Sequence, residues 1–203
     1  MSSTTPLALD PEINRTLTYW FAGPPPNPIK RWFQGGPTVD EEIRSQFLPL
    51  VTKARASELS SWKASPKGTL ALLILLDQFP RNLFRGSPES YSSDPMALEI
   101  ATEAIANGYD RELELLEQTF FYLPLMHDEN LISQVAGVAL FENLLTRCGD
   151  DEAKNFVKSG LEFGKRHLIC VQKFGRFPSR NGCLGRETTK EEIEWLKEYP
   201  SGF

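Results

Sequence analysis

An all-α fold is what this 203-residue chain predicts, on three observations. No stretch alternates apolar and polar residues with the Val, Ile and Thr content of a sheet. Apolar residues recur instead at helical spacing, segment after segment. Those segments are separated by short turns marked with proline, glycine and capping residues, and short links set neighbouring helices antiparallel. The expectation is one helical domain over residues 1–203, an antiparallel bundle or helical array of about eight helices. Residues 1–10 are expected to be flexible and 22–38 to form a Pro/Gly-rich loop.

The first helix is read over 11–21, with Ile13, Leu17, Trp20 and Phe21 to one side and Gly23 and Pro24 to Pro26 as its stop. Trp32 and Phe33 fall in the loop that follows and are expected to tuck against the body. Asp40 reads as an N-cap, with Glu41 and Glu42 where negative charge complements the helix dipole. Ser65-Pro66 opens the central helix: a capping hydroxyl, then proline at the first helical position. Leu70 to Leu76 is an unbroken apolar run, so this helix must be covered on most sides. Pro80 is expected to end or kink it. Ser93-Asp94-Pro95 starts the next helix, and Asn107-Gly108 ends it. A further helix is read over 110–121, before Pro124, and then one capped by Asp128 or His127. Asp150 caps a long helix to about Phe174, whose Gly160 and Gly164 clear one face for close approach of a neighbour. Thr189 to Glu192 is a capping-box pattern for a last short helix.

Composition bounds the function. Hydrophobic residues make 40% and charged residues 24%, ordinary values for a folded chain. The net charge of −5 argues against non-specific nucleic-acid binding. The apolar run is far shorter than the about 20 residues that span a bilayer, and the first residues have no basic flank or apolar core, so neither membrane nor secretory signal is expected. Three cysteines without a C-x-x-C pair suit reduced thiols in the cytoplasm.

The chemistry-bearing residues fall in two turns and at one helix start. The apolar run ends in Asp77-Gln78-Phe79-Pro80-Arg81-Asn82, and its Phe-Pro-Arg-Asn recurs as Phe177-Pro178-Ser179-Arg180-Asn181. If the two turns face each other, Arg81, Arg176 and Arg180 make a positive pocket, since guanidinium forks match carboxylate or phosphate geometry, and Asn82 and Asn181 add amides. The bland alternative is two helix-terminating turns whose arginines bond their own carbonyls. His127 stands at a loop-to-helix position where an imidazole can act as base near neutral pH, with Asp77 as acid/base partner and Glu129 to orient it. Read blandly, His127 only caps a helix. His167 shares a face with Gly160, Phe163, Gly164 and Val171 and reads as a core histidine. Cys183 is flanked by Arg180 and Arg186, which would favour its thiolate, although a tolerated loop cysteine explains it as well. Two histidines, no H-E-x-x-H and no cysteine pair give no metal-ligand cluster, and no phosphate-cradling glycine loop or G-x-S-x-G is present. No metal and no cofactor are therefore expected.

Several blocks together resemble domain-of-unknown-function family 924. They are LLILLDQFPRN-x-x-R-G, S-x-D-P-x-A at 92–97, F-x-Y-L-P-x-x-H-x-E from Phe120, Arg166-His167, and F-G-R-F-P-x-R-N-x-x-L-G-R-E from Phe174. The resemblance runs from Tyr19 to Phe203. It implies an all-helical, tetratricopeptide-like fold of bacteria and fungi, with no established activity. It also implies a histidine between Pro178 and Arg180, where this chain has Ser179.

Three functions remain in view. The first is a helical protein that binds a small anionic molecule, and an enzyme of acid/base chemistry (isomerisation, dehydration or hydrolysis), with Asp77, His127 and Glu129 catalytic and Arg81, Asn82, Arg176, Arg180 and Asn181 holding substrate. The second is a non-catalytic scaffold for a protein or peptide partner. The third is a purely structural ion-pair network. The sequence leaves the oligomeric state open.

Overall fold

The computed structural model describes residues 10–22 and 28–199, and among these every regular element is helical. The expectations for residues 1–9, for the Gly23–Pro26 stop and for the Phe33 side chain lie outside the described residues. In chain order the helices are α1 (Pro11–Leu17), α2 (Pro28–Gln34), α3 (Gly36–Arg55), α4 (Pro66–Leu73), α5 (Phe79–Leu83), α6 (Asp94–Ala106), α7 (Leu115–His127), α8 (Leu131–Thr146), α9 (Asp151–Phe174) and α10 (Lys190–Glu198). No helix among the described residues is long and apolar enough to cross a membrane.

Capping chemistry fixes half of the ten described starts. Asp10, Ser65, Asn130 and Asp150 each accept a backbone N–H of the first turn that follows, and Thr189 and Glu192 close a reciprocal capping box. Some expectations fail. Much of 22–38 is helix, not loop: α2 occupies 28–34, and α3 begins at Gly36, so Asp40 sits inside α3 instead of capping it. Proline is tolerated in a first turn, where its missing N–H would be unpaired anyway, and Pro28 and Pro37 use that tolerance. Pro124 likewise lies within α7, which runs on to His127; the cap of α8 is Asn130, not Asp128 or His127.

The central rod joins α4 to α5 through a π-helical turn, Ile74–Gln78, and contacts α1, α3, α6 and α7. Leu70, Ile74 and Leu75 are fully buried, each contributing roughly 1.5–3 kcal/mol. Pro80 neither ends nor abandons the helix. Its missing N–H leaves the Leu76 carbonyl without its ordinary partner, and the Ser93 hydroxyl donates to that carbonyl at 2.8 Å. The π turn absorbs the ring and re-aims the residues that follow.

Around the rod an aromatic cluster closes one side: Tyr19, Trp20, Phe47 and Phe79 meet mostly at tilted or edge-on angles, and Trp32 packs on Trp20 and Phe120. On the other side, the glycines of α9 do what their spacing suggests. A Cβ at Gly160 would stand 2.7 Å from the Phe141 ring, and one at Gly164 would stand 3.2 Å from Met126. The C-terminal loop and α10 pack on a small apolar cluster of Cys170, Val171, Phe174, Phe177 and Trp195.

Candidate functional site

Asp77 falls in the π turn at the end of the rod, with its side chain 1% exposed. His127 is the last residue of α7. A helix ends with four carbonyls lacking intrahelical partners, and here side chains supply them. The Gln134 amide donates to the carbonyls of Leu125, Met126 and Asp128, and Arg180 Nη2 donates to that of His127 at 2.9 Å. The end of α7 is thereby held against the second Arg-Asn turn, and His127 is aimed at Asp77.

The imidazole Nδ1 of His127 lies 2.7 Å from Asp77 Oδ1. Burial alone would raise the Asp77 carboxyl, but the charge of Arg81 and the bond from His127 override it and hold it far below the usual carboxylate range. An ionised carboxylate only accepts, so Nδ1 carries the proton and Nε2 the lone pair. Burial, reinforced by Arg81, lowers the His127 pKa, so the ring is neutral near pH 7. His167 repeats the pattern: its Nδ1 faces the Phe163 carbonyl at 2.8 Å, and burial pushes its pKa down to about 3. The two rings stand 6.5 Å apart, centroid to centroid.

Arg81 grips Asp94 with both Nη atoms, at 3.1 and 3.0 Å, and donates to the Asp77 carbonyl. Arg180 is sandwiched between Tyr91 and Phe177, its guanidinium carbon 4.5 and 4.7 Å from the two ring centroids, and its Nη1 lies 3.5 Å from Asp94. Desolvation raises the Asp94 carboxyl against the pull of the arginines. These residues surround a cavity of ≈ 320 Å³ lined by Arg81, Arg85, Gly86, Ser90, Tyr91, His127, His167, Phe177, Ser179 and Arg180. The two Arg-Asn turns therefore face one another.

Other sequence candidates lie elsewhere. Arg176 is bound to Glu192 at 2.7 Å and to the Glu187 carbonyl, so it anchors α10 instead of facing the cavity. Asn181 is buried beside it, its amide directed at Thr188 and Glu192. Asn82 points the other way, to Asp40. Glu129 does not orient His127: it receives the Phe177 N–H and both Nη atoms of Arg186, and Asp77 is the carboxylate on the imidazole. Each displacement has the same form: the side chain pairs with a charged group of another element, and none of the four lines the cavity. Tyr91 and His167 line the cavity and Asp94 ties its two arginines together, although His167 is also the buried core histidine its helix face suggests and only Tyr91 carries no expectation from the sequence. The Ser-x-Asp-Pro start marks Asp94 as a helix opener, but only the fold sets it against Arg81.

A larger cavity, ≈ 400 Å³, lies beyond Arg85 and is lined by Arg31, Trp32, Gly35, Gly36, Pro37, Asp40, Asn82 and Arg85. It holds no histidine, and its carboxylate is already occupied by Asn82 and Arg85, so the smaller cavity is the candidate site. Among the described residues no three His, Cys, Asp or Glu side chains form a metal-holding group.

A family model described as "Bacterial protein of unknown function (DUF924)" matches residues 16–199. A solved structure, "Structure of Protein of Unknown Function ATU0120 from Agrobacterium tumefaciens", superposes with a TM-score of 0.81 at 34% identity, over 93% of this chain and 98% of that one. A comparison with curated proteins gives no match.

Proposed function

This chain belongs to the DUF924 family, whose description assigns no activity, and from its cavity we propose that it is an acid/base enzyme acting on a small anionic molecule. The observation that carries this is the buried Asp77–His127 pair at 2.7 Å, whose His127 lines a cavity together with Arg81, Arg85 and Arg180. Asp77 holds the imidazole in one tautomer and stabilises the imidazolium that forms when Nε2 takes a proton. Arg81 and Arg180 border the space where negative charge develops on the substrate. Proton abstraction leading to isomerisation or dehydration fits this set, and so does hydrolysis with His127 activating water.

Diethyl pyrocarbonate tests the reading without a known substrate, because it acylates the lone-pair nitrogen of a neutral imidazole. Carbethoxylation of His127, read at 240 nm and assigned with His127→Gln, is expected in the folded protein and slowed by succinate or inorganic phosphate. Deuterium uptake from D2O into small oxo- and hydroxy-carboxylates, followed by NMR, should vanish in the same variant. A His127 that reacts only after unfolding, or reacts equally with and without anions, refutes it.

A second reading, the protein-interaction scaffold, has one observation in its favour. Leu131, Ile132 and Val135 leave α8 an apolar stripe that is 45, 80 and 54% exposed. Retained partner binding in His127→Gln together with its loss in Ile132→Glu would favour that reading over the first.

A further inference from the structure

Building on the anion-accepting cavity proposed above, we propose that Arg85 is its third cationic ligand, a swinging arm that leaves Asp40 to grip a carboxylate or phosphate group. Charge arithmetic motivates it. Arg81 and Arg180 are matched by Asp77 and Asp94, and burial keeps both histidines neutral near pH 7. An incoming anion would leave the cavity with an unbalanced negative charge. Arg81 cannot turn to meet it without dropping Asp94, nor Arg180 without dropping the His127 carbonyl.

Arg85 is differently placed. It lines both cavities, and its guanidinium is held on Asp40, at the wall of the larger one. Its Nε and Nη2 donate to Asp40 at 3.1 and 2.9 Å, but its side chain is 61% exposed, and exposed pairs contribute little. Asp40 is not stranded when the arm leaves, because the Asn82 amide still donates to it at 2.8 Å. Gly86 follows at φ +75°, a left-handed position, with open space where a Cβ would stand. The exchange swaps one oxyanion partner of Arg85 for another, so it meets no large opposing energy, and the planar fork suits either ligand.

Calorimetric titration of the full chain with inorganic phosphate and with succinate, at low ionic strength, tests this. Asp40→Asn still accepts from Asn82 but releases the arm. It is expected to tighten binding about three- to tenfold, while Arg85→Ala weakens it about tenfold, each tenfold step being one ordinary charge-assisted contact. The double variant should match Arg85→Ala. Preference for phosphate or for succinate in the parent identifies which oxyanion the arm serves. Parent-like affinity in both single variants overturns the role of Arg85 and leaves the cavity reading standing. Absence of binding by the parent and by Asp40→Asn, with either probe, overturns both.

Discussion

Asp77→Asn is the sharpest perturbation, because it removes one charge and almost no volume. In the parent, Asp77 takes His127 Nδ1 at 2.7 Å and stands 3.3 Å from Arg81, with its side chain 1% exposed. Removing one partner of a buried ion pair costs about 3–5 kcal/mol. Arg81 keeps both bonds to Asp94, so a loss of about 2–3 kcal/mol is expected. For a chain of this size that lowers the melting temperature by roughly 5–10 °C. The effect on His127 is more specific. An asparagine can present either its oxygen or its NH2 group to the ring, so the tautomer is no longer dictated. Long-range 1H–15N correlation spectra read this directly, and the chain has only two histidines to assign. At pH 7 both parent rings should be neutral with the proton on Nδ1, because an ionised carboxylate and the Phe163 carbonyl can only accept. In Asp77→Asn the His127 pattern should become mixed while His167 stays unchanged. An Nε2–H or doubly protonated His127 in the parent would refute the argument. So would a variant that melts with the parent and keeps a pure Nδ1–H pattern.

Acid stability follows from the same two rings. Burial depresses the pKa of His167 to about 3 and lowers that of His127, against an ordinary value near 6.5. The unfolded chain therefore binds protons that the folded chain refuses. Stability is whole above pH 6.5 and falls as pH drops below it, by up to roughly 1.4 kcal/mol per unit for His167, with His127 adding in the same direction. Urea titrations between pH 6.5 and 5, above the carboxylate range, should show this slope, and it should flatten in His167→Gln. Gly160→Ala sets two effects against each other. Helix propensity favours alanine by about 1 kcal/mol, but the new Cβ lies 2.7 Å from the ring of Phe141, which is itself buried. Overpacking costs about 1–3 kcal/mol, so the variant should be destabilised by about 1 kcal/mol, whereas Gly182→Ala, with open space around it, should not be.

The features legible from the residues alone are local ones. Ser65, Asp150 and the Thr189–Glu192 box mark helix starts because a cap and the N–H it serves lie within three residues of one another. The run from Leu70 to Leu76 declared its own burial, since no polar residue interrupts it. The meeting of Asp77, Arg81, His127 and Arg180 was legible only as a repeated Phe-Pro-Arg-Asn turn beside a carboxylate. The assignment of Glu129, Arg176, Asn82 and Asn181 was decided by the tertiary structure. Long polar side chains bond whatever unpaired group stands nearest, and that neighbour belongs to another element: Arg186 for Glu129, Glu192 for Arg176 and Asn181, Asp40 for Asn82. The same holds for Pro80. A proline's local rule says stop, but a hydroxyl seventeen residues away satisfied the carbonyl that Pro80 orphaned, and the helix went on.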